Sequence, residues 1–262
     1  MGAPTLPPMT DVELTTRLRA NIHGFKTFQT WGGPLRMKDL PGVRAFALPG
    51  HGAPLFQQQV LYTDAHALAE ALGPLAAWYR ELGVQAWRVP VYPGDTAAEA
   101  VLARAGHRAE DHLPTMALPL DHPPPQLPPG TTLEHPEDLH EVMKLNALCY
   151  GQEHVGYFES WRPRLHSSSG LFAVLVRQEG RALAGGVSFE RDGTSGIYLV
   201  ATHPEARRLG LGALVMRGLH ADALARGCTL AVLQASAQGH GLYQRLGYRD
   251  LGAWTSWVRR AG

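Results

Sequence analysis

The sequence predicts an α/β protein built of two tandem units, each a mixed, mostly antiparallel sheet flanked by helices. Three observations carry this expectation. Residues 171–252 alternate between apolar β-type runs and helical patterns, in the order strand, strand, strand, glycine-rich turn, helix, strand, helix, strand. A proline-rich stretch, Leu118–Gly130 (LPLDHPPPQLPPG), divides the chain near its middle and can sustain neither a helix nor a central strand. The first half also carries a faint copy of the second: LARAGHR at Leu102–Arg108 matches YQRLGYR at Tyr243–Arg249, 141 positions later, and Gly83 matches Gly227, 144 positions later. At 262 residues the chain exceeds one typical domain, and the expected division is 1–120, a linker at 121–130, and 131–262.

The elements of the second unit follow from local pattern. Leu171–Arg177 (LFAVLVR) and Arg181–Arg191 (RALAGGVSFER) read as strands joined by the turn Gln178-Glu179-Gly180, and Asp192-Gly193 marks a second turn before a strand at Gly196–Val200. From Leu211 onward, Leu211, Leu214, Val215 and Leu219 form the apolar stripe of a helix packed on a sheet. Thr229–Gln234 (TLAVLQ) reads as a buried strand that follows this helix as a crossover, which places it parallel to Ile197–Val200. Leu242–Tyr248 then reads as a short helix and turn before the last strand.

The turn at Pro204-x-x-Arg207-x-x-Gly210-x-Gly212 has the chemistry of a diphosphate cradle. A helix start presents unpaired N–H groups and the positive end of the helix dipole. Gly210 and Gly212 lack a Cβ, so the backbone can take unusual dihedrals and approach an anion closely. Arg207 and Arg208 add fixed positive charge. The turn is not a P-loop, because Ala213 follows Gly212, nor a dinucleotide fingerprint, because Val215 stands where a third glycine belongs.

Pro204–Gly212 and the segment Leu242-Tyr243-Gln244-Arg245-Leu246-Gly247-Tyr248 together resemble the pyrophosphate loop and closing helix of the GNAT superfamily of acyl-CoA N-acyltransferases. Val200–Pro204 (VATHP) and Leu233–Ser236 (LQAS) resemble runs of one of its subgroups. The resemblance implies two tandem GNAT-like domains, the first degenerate, with acetyl-CoA as co-substrate and a small-molecule or peptide amine as acceptor. It implies that Arg207, Arg208, Leu209, Gly210, Leu211 and Gly212 bind the diphosphate. It further implies that the strands around Leu199, Val200 and Ala201 and around Leu233 splay to admit the pantetheine arm, with backbone N–H groups near Val200 facing the thioester carbonyl.

Tyr243 matches the family tyrosine and is the candidate acid for the departing thiolate, since a phenol near pKa 10 can protonate a thiol near 8.5 in a site that favours transfer. Ser236 stands near the position of a family asparagine that holds the cofactor amide, and reads more readily as a helix cap than as a ligand. Glu190, near a strand end, is the candidate general base. Glu153 and His154 are alternatives, in the segment Ala147–Trp161 that contacts the acceptor in related enzymes. Cys149 and Cys228 read as buried structural residues. A non-catalytic acyl-CoA-binding protein of the same fold is the alternative function.

In the first unit the position of the glycine-rich turn falls on Thr63–Leu68 (TDAHAL), which has no glycine and carries Asp64 where phosphate would be repelled. The expectation is a retained architecture without a cofactor site. Lys plus Arg at 24 against Asp plus Glu at 23 gives no electrostatic case for nucleic acid. The start MGAPTLPPMTDVELTTR lacks a signal-type apolar stretch and no run reaches membrane-spanning length, so no membrane partner is expected. Two distant cysteines suggest a reducing, cytoplasmic setting. The 13 histidines are scattered, and Lys144 stands where a zinc-protease helix starting at His140-Glu141 would need its second histidine; no metal is expected. Monomer and homodimer stay open.

Overall fold

A computed structural model describes residues 9–31, 33–50, 53–121, 126–137, 139–150 and 169–260. Within them the first half runs α1 (Asp11–Phe28), β1 (Arg36–Leu40), β2 (Val43–Ala47), β3 (Gln59–Tyr62), α2 (Ala65–Glu81), β4 (Ala86–Val91), α3 (Thr96–Arg104) and β5 (Arg108–Pro119). The second half runs β6 (Thr131–Glu134), α4 (His140–Tyr150), β7 (Leu171–Gln178), β8 (Arg181–Arg191), β9 (Thr194–Thr202), α5 (Leu211–Ala225), β10 (Leu230–Gln234), α6 (His240–Arg245) and β11 (Arg249–Arg260). Both expected hairpin turns form. Glu179 and Gly180 (φ 51° and 79°) and Asp192 and Gly193 (φ 50° and 68°) take the paired positive dihedrals that match the twist of the flanking strands.

All eleven strands join one sheet, in the order β1-β2-β3-β4-β11-β5-β10-β9-β8-β7-β6. Two neighbouring pairs are parallel, β3–β4 and β9–β10, and each is bridged by a helix, α2 or α5. The rest are antiparallel; hairpins or short loops join β1–β2, β2–β3, β7–β8 and β8–β9, whereas β4–β11, β11–β5 and β5–β10 pair strands distant in the chain.

The repeat is visible down to single hydrogen bonds. After α2, the Val84 N–H donates to Tyr79 O; after α5, Cys228 donates to Ala223 O. After α3, His107 donates to Leu102 O; after α6, Tyr248 donates to Tyr243 O. The glycine just before each of these donors, Gly83, Gly227, Gly106 and Gly247, is left-handed (φ 70°, 87°, 81° and 92°), as a helix stop of this kind requires. The two halves also exchange their last strands. β11, from the chain end, lies between β4 and β5, and β5 pairs with β10 of the second half. Separating the halves would expose the unpaired edges of β4 and β10.

β7 shows how the sheet divides its faces. Leu171, Ala173 and Leu175 pack with α1 and α4, while Val174 and Val176 pack with α5. Helix α1 ties the halves together: Leu14, Leu18 and Ile22 enter the first unit's core, and Phe25 and Phe28 pack on β8 and α4 of the second. Between them Asn21, buried, donates to Phe189 O (3.0 Å) and Thr194 O (3.1 Å) and accepts from Tyr198 OH (2.8 Å). This contact needs Gly196, since a Cβ there would lie 1.9 Å from Asn21 Oδ1. Gly196→Ala is therefore expected to destabilise the protein by about 2–4 kcal/mol, through overpacking and a disturbed buried amide, read as a lower urea midpoint with an unchanged m-value. Among the described residues no helix is long and apolar enough to cross a membrane.

Candidate cofactor and acyl-transfer site

The chain leaves β9 at Thr202, makes one turn of 3₁₀ helix at Pro204–Ala206 anchored by the buried Ala206, and then runs exposed through Arg207–Gly210 into α5. Arg208 (φ 67°) and Gly210 (φ 80°) are both left-handed. Helix α5 has no side-chain cap; its first internal donors are Ala213 and Leu214, both to Gly210 O (3.0 and 3.2 Å). The N–H groups of Arg208, Leu209, Gly210, Leu211 and Gly212 make no hydrogen bond among the described residues. Five open donors at the positive end of a fifteen-residue helix, with two exposed arginines beside them, suit a multiply charged anion.

The two glycines serve different ends. Gly210 has open space around its missing Cβ and is required by its dihedral, whereas a Cβ on Gly212 would stand 3.3 Å from Leu242 and 3.5 Å from Thr202 Oγ1. Gly212 thus lets α5 sit close to α6 and the end of β9. At the equivalent place in the first unit, Asp64 caps α2 by accepting from the Ala67 N–H (2.9 Å), and hydrogen bonds from Ala67 and Thr63 hold its carboxyl below the usual range. A fixed carboxylate sits where an anion would have to bind.

Beside the loop the sheet opens. β9 and β10 pair through Leu230↔Thr194, Ala231↔Ser195 and Val232↔Gly196, and their pairing ends there. Just beyond, β9 bulges: Tyr198 faces Val187 and Ala201 faces Gly185, so Leu199 and Val200 share the one partner Gly186. Leu199 is left-handed (φ 55°), a strained conformation for a large side chain. Gly186 makes the bulge possible, since its Cβ would lie 2.9 Å from Val215 and 3.1 Å from Val200. Ala201 is buried behind it.

Tyr150, at the end of α4, reaches across this opening. Its hydroxyl donates to Val200 O (3.2 Å), while 49 % of the residue stays exposed. The Ser236 hydroxyl accepts from the Gly239 N–H (3.2 Å) and so closes the turn that leads into α6, whose N-cap Gly239 carries no side-chain cap; the reading of Ser236 as a helix cap is met only to that extent. Cys149 is half-buried, and its thiol donates to Thr202 O (3.3 Å), to which Arg207 Nε also points (3.5 Å). The reading of Cys149 as buried in a helix face is corrected here: it lies at the root of the loop. Cys228 is buried as expected, and burial raises its thiol to about 11.

Tyr243, on α6, is 8 % exposed, with its ring over Gly239 and 5.8 Å from the ring of Tyr248. Burial, and then the neighbouring Tyr150, push its phenol up to about 12. Its hydroxyl has no hydrogen-bond partner among the described residues. Tyr248 belongs to the core, bonded through its hydroxyl to the buried His220 (2.7 Å).

Glu190 is not brought to this cleft. It pairs with Ser195 on β9, at the closed end of the β9–β10 pair, roughly 20 Å along the strand from Thr202. Its carboxylate is held by Arg226, from Nε (3.0 Å) and Nη2 (2.6 Å), and that guanidinium lies 3.5 Å over Phe172. The alternation that put Glu190 near a strand end was right, but the cofactor loop leaves from the other end of the neighbouring strand. Glu153 and His154 lie outside the described residues. Among the described residues, no three His, Cys, Asp or Glu gather as a metal-binding group.

The site is thus a mixed sheet that splits next to an uncapped, glycine-started helix. Residues 139–248 match the acetyltransferase (GNAT) family. The fold of the whole chain is similar to a GCN5-related N-acetyltransferase from Kribbella flavida (TM-score 0.71, 18% identity, 94% of this chain and 95% of that one). It is also similar to a tandem GNAT protein from the clavulanic acid biosynthesis pathway (0.62, 16%, 84% and 78%) and to a GCN5-related N-acetyltransferase from Sphaerobacter thermophilus (0.59, 17%, 98% and 98%). No curated protein sequence matches the chain. The first half resembles the same fold, so the tandem arrangement expected from the repeat is present.

Proposed function

We propose that the protein transfers an acetyl group from acetyl-CoA to a primary amine by direct attack. The observation that carries this reading is the set of open N–H groups from Arg208 to Gly212 at the mouth of the split between β9 and β10. The loop donors and the charges of Arg207 and Arg208 hold the diphosphate. The pantetheine arm occupies the split, and Tyr150 gives up its bond to Val200 to let it lie there.

With amine and thioester held together, proximity removes much of the barrier and no acyl-enzyme is needed. Backbone N–H groups at the Leu199–Ala201 bulge stabilise the developing oxyanion. The amine nitrogen bonds to the acetyl carbon and loses a proton to water, the C–S bond breaks while Tyr243 donates a hydrogen bond to the departing sulfur, and the sulfur takes up a proton through Tyr243, which regains its own from water, leaving amide and free CoA. Because Glu190 is tied to Arg226 at the far end of the sheet, the amine proton leaves through water rather than through that carboxylate.

The test is amine-dependent release of CoA thiol from acetyl-CoA by the purified protein, with amino acids, polyamines, peptides and aminoglycosides as acceptors. Release with at least one class is expected. CoA binding without release from any of them would leave a non-catalytic acyl-CoA-binding protein.

A further inference from the structure

On the face of the sheet covered by α1 lies a cavity of about 180 Å³ that reaches the bulge, with Leu199 of β9 and Gln234 of β10 in its wall. The other wall is built by the first unit. Ile22, Phe25 and Phe56 supply apolar surface; Lys26, Gln57, Gln59 and Arg88 supply polar groups. Lys26 is 8 % exposed, and its ammonium donates to Phe56 O (2.7 Å) and to the side-chain oxygens of Gln29 and Gln57 (3.4 Å each). Arg88 donates through Nη2 to Gln59 Oε1 (2.8 Å), and its Nε is buried with no partner.

No acidic residue lines the cavity among the described residues. Asp111, the carboxylate whose field acts on Arg88, is exposed on β5 outside it. Burial and then Arg88 draw Lys26 down to about 7, and burial draws Arg88 down to about 10. A buried lysine and a half-buried arginine facing neutral amides, with the buried Arg88 Nε–H unfilled, form a site that lacks an anion.

We propose that this cavity is the acceptor site and that the acceptor is a small amine bearing its own carboxylate, which lies between Lys26 and Arg88 while the amine points to Leu199. This rests on the acetyl transfer proposed above. The volume is that of about six waters, the size of a free amino acid. Polyamines are disfavoured by the two cations, and a peptide N-terminus has no carboxylate beside its amine. In this arrangement the first unit, having no open anion cradle of its own, supplies the acceptor site of the second.

The experiment measures acetyl transfer to each common L-amino acid, its C-terminal amide and its decarboxylated amine, with binding of the same compounds to the full-length protein followed by calorimetry. At least one amino acid is expected to exceed its amide by about 100-fold in kcat/KM, because the amide leaves Lys26 and Arg88 without an anion. Arg88→Gln and Lys26→Gln should each weaken use of that amino acid by about tenfold or more while CoA affinity stays unchanged, and Arg88→Lys should restore part of the loss. Equal use of amino acid and amide by the wild type would overturn the proposal and leave acetyl transfer standing. If no amine is acetylated, the transfer reading fails separately, and calorimetry decides the cavity: amino-acid binding lost in Arg88→Gln supports it, and no binding to the wild type overturns it.

Discussion

Tyr243→Phe is expected to slow acetyl transfer by about two orders of magnitude while leaving CoA affinity unchanged. The substitution removes one oxygen. That hydroxyl bonds to no described residue, and the ring that packs over Gly239 and beside Tyr248 is retained, so the fold has little reason to change. What is lost is the donor to the departing sulfur. Because burial raises the phenol to about 12, Tyr243 stays protonated through the neutral and mildly alkaline range, and it contributes no loss of activity until pH approaches that value. Full transfer from such a phenol to a thiolate near 8.5 is uphill, so its effect is greatest as a hydrogen bond that strengthens while the C–S bond breaks. Single-turnover rates with saturating acetyl-CoA separate this from an effect on binding; unchanged turnover in the phenylalanine variant would remove Tyr243 from the mechanism.

Gly210→Asp should cost about 100-fold or more in CoA affinity with little change in thermal stability. The first unit motivates this choice, since Asp64 already holds the helix-start position there with its carboxylate on a backbone N–H. Aspartate tolerates the left-handed region better than most residues, and a negative charge at a helix start is favourable to the helix. The same charge repels a diphosphate and competes for its donors, and like charges placed together cost several kcal/mol in binding. Loss of the whole fold would contradict the claim that Gly210 serves the anion, and calorimetry alongside a melting curve distinguishes the two results.

The second unit was legible because its signals are local. Alternating runs, two-residue turns and the helix stripe after Gly212 fix β7 to β10 and α5 within a few residues. The crossover rule then makes β9 and β10 parallel. The exchange of β5 and β11 left no such trace, because both follow a short helix and a left-handed glycine and nothing in their letters says which edge they join. Glu190 misled for a related reason: its partner Arg226 lies 36 positions away, on α5. Tyr150 falls within the acceptor-facing segment Ala147–Trp161, but its reach to Val200 depends on how α4 crosses β9. Lys26 did leave a signal. Leu14, Leu18 and Ile22 step by four along α1, and Lys26 takes the next place on that buried stripe, where a charge needs a reason.

The central claim is that backbone donors at the start of α5 hold the diphosphate of CoA. A crystal structure of the protein with CoA tests it most directly. The expected result places diphosphate oxygens within about 3.2 Å of N–H groups from Arg208 to Gly212, with the pantetheine arm between β9 and β10 and Tyr150 swung off Val200. Diphosphate bound elsewhere, or a β9–β10 split still bridged by Tyr150 at saturating CoA, would contradict it.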